Sequence, residues 1–437
     1  MTKAILIFLL SATLLMIPVS SGVVVTADSV RYISAAKNLV AGKGYIDYGG
    51  KSCAAFTPGY SMALATVFKV LGGVSRDQAV VFVNWSSLFC IGLFSWLILR
   101  RLGAGKWSWP GAATIMVSPM IIYSTQAALS ECLFMAIALP WAYYLMRHKE
   151  DGYFAVAAIL GVMVCLTRHA GAGLLIGSFF AMPRGWRRWL VTAPGILAVL
   201  GWVVFAGMGE NKPTPHSPWS DLIEMVSGYW TWLGFLIPLA VVTLWKKSRL
   251  LLASAVGWAV AMFVICIAID LGDPATRMLT PAVVLMLLGI FSVRGKMQRW
   301  MAALAMVSMA IGGYQAIAHI KYEQRIGYNT VVWKASNTML QLKDLPDSVL
   351  FSNSPDGIWY NTGRLTQPLP RLDNHTPQLA NPRPMTGECM VVFFKSQMGR
   401  YYYGDPTRFK DRTMADSTGK QMVYDMGDAW VVHLGAE

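Results

Sequence analysis

Charge is what this sequence has least of. Asp, Glu, Lys and Arg make up 14% of its 437 residues, against 55% hydrophobic residues and a mean hydropathy of +0.46; soluble domains carry about 25% charged residues. That deficit excludes a soluble enzyme, a disordered chain and a disulfide scaffold. Cysteine is scarce too, with six residues and no metal-ligand spacing among them. There is no P-loop, HExxH or paired CxxC, so nucleotide, zinc-protease and zinc-ribbon chemistry have no sequence support. Cys90, Cys132, Cys165 and Cys266 fall in or beside apolar runs, where small-residue packing is their expected role. Cys53 and Cys389 fall outside them, and whether they pair is open.

What is present is apolar sequence in long runs, recurring through the first 318 residues. A bilayer-spanning helix takes about 20 such residues. The runs predict an α-helical polytopic membrane protein with eleven spans, near 4–25, 79–99, 107–124, 128–146, 153–167, 169–182, 189–208, 230–245, 250–269, 278–293 and 300–318. A secretory signal peptide is the alternative reading of the first run. The net charge of +14 divides unevenly: residues 1–318 carry +13 and residues 319–437 carry +1. The excess gathers in alternate short loops (Arg100, Arg101, Lys106; Arg147, Lys149; Arg184, Arg187, Arg188; Lys246, Lys247, Arg249; Arg294, Lys296, Arg299) and marks the cytoplasmic side, not a nucleic-acid site.

Apart from Glu131 near the start of 128–146, no Asp, Glu, Lys or Arg falls inside these spans, which counts against ion-coupled transport. The ionisable residues collect instead at outer span ends: Asp28 with Arg31, Glu131, Arg168 with His169, and Asp270, Asp273 and Arg277. Bland readings stand beside the chemical one. Asp28 and Glu131 suit helix caps, Arg168 and Arg277 suit interfacial anchors, and Asp270 and Asp273 suit loop solvation. Gly171-Ala-Gly-Leu-Leu-Ile-Gly177 imitates a dinucleotide loop but lies in a span, where small residues allow close helix packing. Asn84-Trp-Ser and Asn374-His-Thr are chance glycosylation matches.

The first outer loop (26–78) predicts two short surface helices, one carrying Val30, Ile33, Leu39 and Val40 and one over 62–71. The chain divides into a transmembrane part, 1–320, and a small extracytoplasmic α/β domain, 321–437. In the latter, 331–343 reads as an amphipathic helix, and 348–352, 389–394 and 429–434 read as strands.

These elements resemble the GT-C superfamily of integral-membrane glycosyltransferases, particularly the family of protein O-mannosyltransferases and lipid A aminoarabinose transferases. The resemblance rests on Asp28 and Tyr32 after the first span, Gly42-Lys-Gly-Tyr45, Pro58-Gly-Tyr60 and Ser130-Glu131. It continues through Thr167-Arg168, Arg277-Met-Leu-Thr-Pro281, and Ser352–Tyr360 with Thr362-Gly-Arg364. Thr57 stands where a proline is usual, and Ser29 follows Asp28 in place of a second acid. The resemblance implies transfer of a sugar from a polyprenyl-phosphate donor to a lipid, polysaccharide or protein acceptor at the outer face of the plasma membrane. Asp28 is the expected general base. Arg168 and Arg277 are the expected partners of the departing phosphate, with Arg31, Lys51, Tyr60 and His169 also on the donor side. Glu131 is expected to position the acceptor or an optional divalent ion; no cofactor is assigned with certainty, and a divalent metal is left open. A non-enzymatic flippase or transporter, and a glycan ligase on the same fold, are the alternatives.

Overall fold

The computed structural model describes residues 2–19, 23–147, 150, 152–206, 237–268, 280–293, 296–323, 327–329, 331–344, 349–368, 389–395 and 421–434. The expected outer loop 209–229, Asp270, Asp273, Arg277 and Asn374 lie outside these residues.

Apolar runs become helices because, away from water, only local pairing satisfies every backbone polar group. Helix α1 (Thr2–Val19) is followed by the two outer-loop helices α2 (Ala27–Val40) and α3 (Gly59–Leu71). Then come α4 (Arg76–Arg101), α5 (Ser108–Met116), α6 (Pro119–Gln126), α7 (Ser130–Leu145), α8 (Tyr153–Thr167), α9 (Gly171–Ala181) and α10 (Trp186–Ala206). Helices α11 (Ile237–Lys247), α12 (Arg249–Ala268), α13 (Thr280–Phe291) and α14 (Lys296–Glu323) complete the apolar part. Helix α4 begins at a capping box between Ser75 and Gln78 and ends on Arg100 and Arg101, a start and a stop favoured by orphan backbone groups and by the helix dipole.

Two described helices are long and apolar enough to cross a bilayer unaided, Arg76–Arg101 and Trp186–Phe205. Several of the others are shorter; fifteen residues of α8 rise about 22 Å. The predicted span 107–124 is two helices. It breaks at Ser118-Pro119, because proline has no N–H to continue the ladder and opens α6 instead. Large side chains face outward without protein cover, with Val204 82% and Phe205 84% exposed, as expected of surfaces bathed in lipid. The interior is close-packed around Phe134, Trp141, Leu175, Trp258 and Leu288. The Gly171–Gly177 segment is a packing seam and not a nucleotide loop: a Cβ on Gly177 would lie 2.0 Å from the Ala253 carbonyl oxygen of α12, and one on Gly173 2.6 Å from that of Gly257.

The C-terminal part holds short helices α15 (Val331–Lys334), α16 (Asn337–Asp344) and α17 (Pro355–Thr362). Its sheet contains β1 (Val349–Ser352), β2 (Gln367–Pro368), β3 (Cys389–Phe394), β4 (Gln421–Asp425) and β5 (Ala429–Leu434), in the order β2-β1-β3-β5-β4. Strand β1 runs parallel to β2 and β3, whereas β5 is antiparallel to β3 and β4; Val391 lies opposite both Phe351 and Val432. The single helix expected over 331–343 is broken. Ser336 accepts from the Met339 N–H at 3.1 Å, and its hydroxyl and that of Thr338 both donate to Asp428. Cys53 and Cys389 are both buried free thiols, so they form no disulfide. Cys389 is built into β3 of the sheet, while burial pushes the Cys53 thiol up to about 12, with Asp47 adding to the shift and Arg31 opposing it.

Candidate functional site

A single backbone bridge sets the site. Val24 pairs in parallel with Ala127: the Val24 N–H donates to the Gln126 carbonyl at 2.9 Å and the Ala128 N–H to the Val24 carbonyl at 3.1 Å. Asp28 lies four residues past one side of the bridge and Glu131 four past the other. Each falls in the first turn of its helix, α2 and α7, where the N-terminal dipole favours a carboxylate. The capping role considered for Asp28 belongs to Thr26 and Ser29, which form a reciprocal capping box one residue to either side of the Ala27–Asp28 pair.

The Glu131 carboxylate meets the Arg168 guanidinium at 2.8 Å, with the two side chains 7% and 17% exposed. Arg168 is the C-cap of α8, and its guanidinium reaches the first turn of α7. The same guanidinium nitrogen donates to the Ser130 hydroxyl at 3.2 Å, and Tyr32, one helical turn beyond Asp28, donates to that hydroxyl at 3.5 Å. Three helix ends therefore converge on one polar cluster. Burial pushes the Tyr32 hydroxyl well above the ordinary tyrosine value; Arg168 pulls against that shift, and Asp28 and Glu131 add to it. Tyr32 is thus a neutral hydrogen-bond donor among charged groups. His169 is half-buried and follows Arg168 directly in the chain.

The loop ahead of α3 locks Arg168 in place. The Thr57 hydroxyl donates to the Thr167 carbonyl at 2.7 Å, satisfying an orphan acceptor at the end of α8. The Thr57 carbonyl in turn accepts from the Tyr45 hydroxyl at 3.2 Å. A proline at position 57 has no hydroxyl to make the first of these bonds. Gly59 packs on the same strand of backbone, where a Cβ would lie 2.8 Å from the Leu166 carbonyl oxygen and 2.9 Å from the Thr167 Cα. The Tyr32 ring is held edge-on by Phe56 and Tyr60, at centroid distances of 5.1 and 5.2 Å.

Sequence reasoning placed Tyr60 on the donor side. The structure buries it completely behind Tyr32, with its hydroxyl toward the Asn84 side-chain oxygen at 3.5 Å. Asn84, dismissed as half of a chance glycosylation match, is a buried polar residue whose amide donates to the Thr125 and Ala127 carbonyls at 2.9 and 3.0 Å and so fixes the bridge segment. A lone amide in an apolar span was the signal for it. Arg31 is exposed, its guanidinium 5.5 Å from the Phe56 ring centroid. Lys51 is exposed on the loop hairpin, and among the described residues nothing joins its ammonium to the cluster.

The C-terminal part closes over this loop. Tyr48 stacks on Trp359 at 5.0 Å and donates to Asp356 at 2.8 Å. Burial raises the Asp356 carboxyl above its ordinary value; the Tyr48 bond and Arg31 oppose the shift, while Asp47 and Asp28 reinforce it. Sequence reasoning placed Asp356 in a family-like segment without giving it a role.

Among the described residues no group of three His, Cys, Asp or Glu side chains is arranged to hold a metal. Of the two described carboxylates at the cluster, Glu131 is engaged by Arg168.

No protein-family model and no curated protein sequence matches this chain. Solved structures do. Apo ArnT from Cupriavidus metallidurans superposes with a TM-score of 0.64 at 14% identity, covering 98% of this chain and 97% of that one; the same protein bound to undecaprenyl phosphate gives 0.62 at 12%. The archaeal oligosaccharyltransferase AglB from Archaeoglobus fulgidus, in complex with an inhibitory peptide and a dolichol-phosphate, gives 0.57 at 11% identity over 98% of this chain and 73% of that one. The arabinofuranosyltransferase AftD from Mycobacteria gives 0.57 at 13% identity over 99% and 40%. Over nearly its whole length, this chain shares the fold of these solved structures.

Proposed function

We propose that the protein is a glycosyltransferase that moves a sugar from a polyprenyl-phosphate donor to an acceptor hydroxyl at the outer face of the plasma membrane. The observation that carries this reading is the parallel bridge at Val24 and Ala127, which sets Asp28 and Glu131 at the starts of adjacent helices beside Arg168. Asp28 takes the proton as the acceptor oxygen attacks the anomeric carbon, a role worth about 10²–10⁴ in rate for a placed base. The bond to the lipid phosphate breaks, and negative charge grows on that phosphate; Arg168, oriented by Glu131, stabilises it, with Tyr32 as an uncharged donor beside it. Arg277, placed on the donor side by its sequence motif, is the second proposed phosphate contact. The lysine- and arginine-rich short loops favour an outer location for this cluster.

That ArnT has been solved with undecaprenyl phosphate and AglB with dolichol-phosphate supports a lipid-phosphate donor. The reading covers a single sugar in preference to a preassembled glycan, because the described C-terminal part is one small sheet with short helices. Asp28→Asn, purified in lipid nanodiscs with a radiolabelled polyprenyl-phosphate sugar, is expected to lose at least about 100-fold in transfer while unfolding at the wild-type temperature. Normal turnover by this variant overturns the assignment of the base.

A further inference from the structure

Away from the cluster, a cleft of about 490 Å³ opens between the end of α2, the start of α4 and the C-terminal domain. Lys37 stands nine residues past Asp28 on α2, about 14 Å along the helix axis, so the cleft is separate from the proposed reacting centre. Four cations line it: Lys37 from α2, Arg76 from α4, and Lys334 and Lys343 from the C-terminal domain.

Against these four cations the lining sets one carboxylate. Arg76 is pinned as one wall, its guanidinium 4.5 Å from the Trp359 ring centroid and donating to the Tyr360 carbonyl at 2.7 Å. Asp77 supplies one carboxylate to the lining, and it accepts from Asn329 at 2.7 Å and from the Tyr360 hydroxyl, which ties it to the opposite wall. Among the described residues no carboxylate pairs with Lys37, Lys334 or Lys343. The remainder of the lining mixes amide groups (Asn329, Asn361) with flat or aliphatic side chains (Tyr360, Met339, Leu340). Cations, amides and an aromatic face together suit a ligand with hydroxyls, an apolar ring face and negative charge.

The geometry points to a binding site for an anionic saccharide, a sugar bearing phosphate or carboxylate, in the seam between the membrane part and the C-terminal domain. Lipid headgroups share the anionic chemistry, but two of the four cations come from the C-terminal domain, and the amide and aromatic walls match sugar hydroxyls and ring faces. An anionic glycan of several sugars, held here, extends along α2 toward Asp28. Its identification as the acceptor rests on the transfer reading; the binding itself does not.

The test uses the full chain in phosphatidylcholine nanodiscs and glucose 6-phosphate as the probe, followed by calorimetry. Saturable binding is expected, tighter than that of glucose or inorganic phosphate. It is expected to weaken at least tenfold in Lys334→Glu/Lys343→Glu, and to a smaller degree in Lys334→Gln/Lys343→Gln; both lysines are exposed, so these changes leave the fold's core untouched. Short-chain phosphatidylglycerol is expected to compete at least tenfold less well than the probe. Unchanged binding in both double variants, equal binding of glucose, or equal competition by the lipid each overturns the proposal. Asp28→Asn is expected to bind the probe as the wild type does, so failure of the transfer mechanism and failure of this site are read separately.

Discussion

At the scale of single residues, the pair formed by Glu131 and Arg168 has two readings that kinetics and stability can separate. Both side chains are largely withdrawn from water and meet at 2.8 Å. Removing one partner of such a pair leaves an uncompensated charge and costs about 3–5 kcal/mol, whereas replacing both by apolar side chains is often neutral. Arg168→Met alone is therefore expected to lower the unfolding temperature by several degrees. Glu131→Leu/Arg168→Met is expected to regain most of that loss and still transfer no sugar, because the cation proposed to meet the leaving phosphate is gone. Thermal unfolding and turnover measured on the same three preparations check this. Full activity in the double variant makes the pair a structural element only.

At the scale of elements, sequence periodicity locates most helices but not what they face. Helix α8 coincides with the expected 153–167, and α2 and α3 with the two surface helices of the outer loop, because each carries a continuous apolar run or stripe between turn residues. The contact between α3 and α8 was not legible. It joins Thr57 to Thr167, 110 positions apart, and depends on one glycine whose neighbours in sequence say nothing of the backbone it touches. Gly59→Ala drives a Cβ against the Leu166 carbonyl and the Thr167 backbone, neither of which is a flexible side-chain end. Overpacking of this kind costs about 1–3 kcal/mol, and the displacement falls on the residue preceding Arg168. Transfer is expected to drop together with the unfolding temperature. Gly201→Ala in α10 is the control: nothing lies within 4 Å of its added Cβ, so alanine should be neutral or stabilising by up to about 1 kcal/mol. A Gly59→Ala protein indistinguishable from the control in both readouts removes the claim that this seam positions Arg168.

At the scale of the whole molecule, the strands 389–394 and 429–434 are read directly from sequence, since runs such as Met-Val-Val-Phe-Phe and Trp-Val-Val specify buried strands. How the domain they form is attached is not. Its seam is made by pairs such as Tyr48 with Asp356, 308 positions apart, and Asn329 with Asp77, 252 apart, each an unremarkable residue in its own stretch. Trp359 stands at the centre of that seam, stacked on Tyr48 and capped on its ring face by Arg76. A buried aromatic pair and a cation over a ring each contribute on the order of 1 kcal/mol beyond their area. Trp359→Ala is expected to remove both and to loosen the domain without disturbing the apolar helices, whose core around Trp141 and Trp258 is separate. Hydrogen exchange should quicken in 27–40 and 355–362 and stay unchanged in 130–145. Transfer should fall, because Asp28 lies on the helix that α17 packs against. Exchange that rises equally in 130–145 contradicts a seam independent of the bundle, and unchanged transfer with a loosened seam frees the Asp28 chemistry from the C-terminal domain.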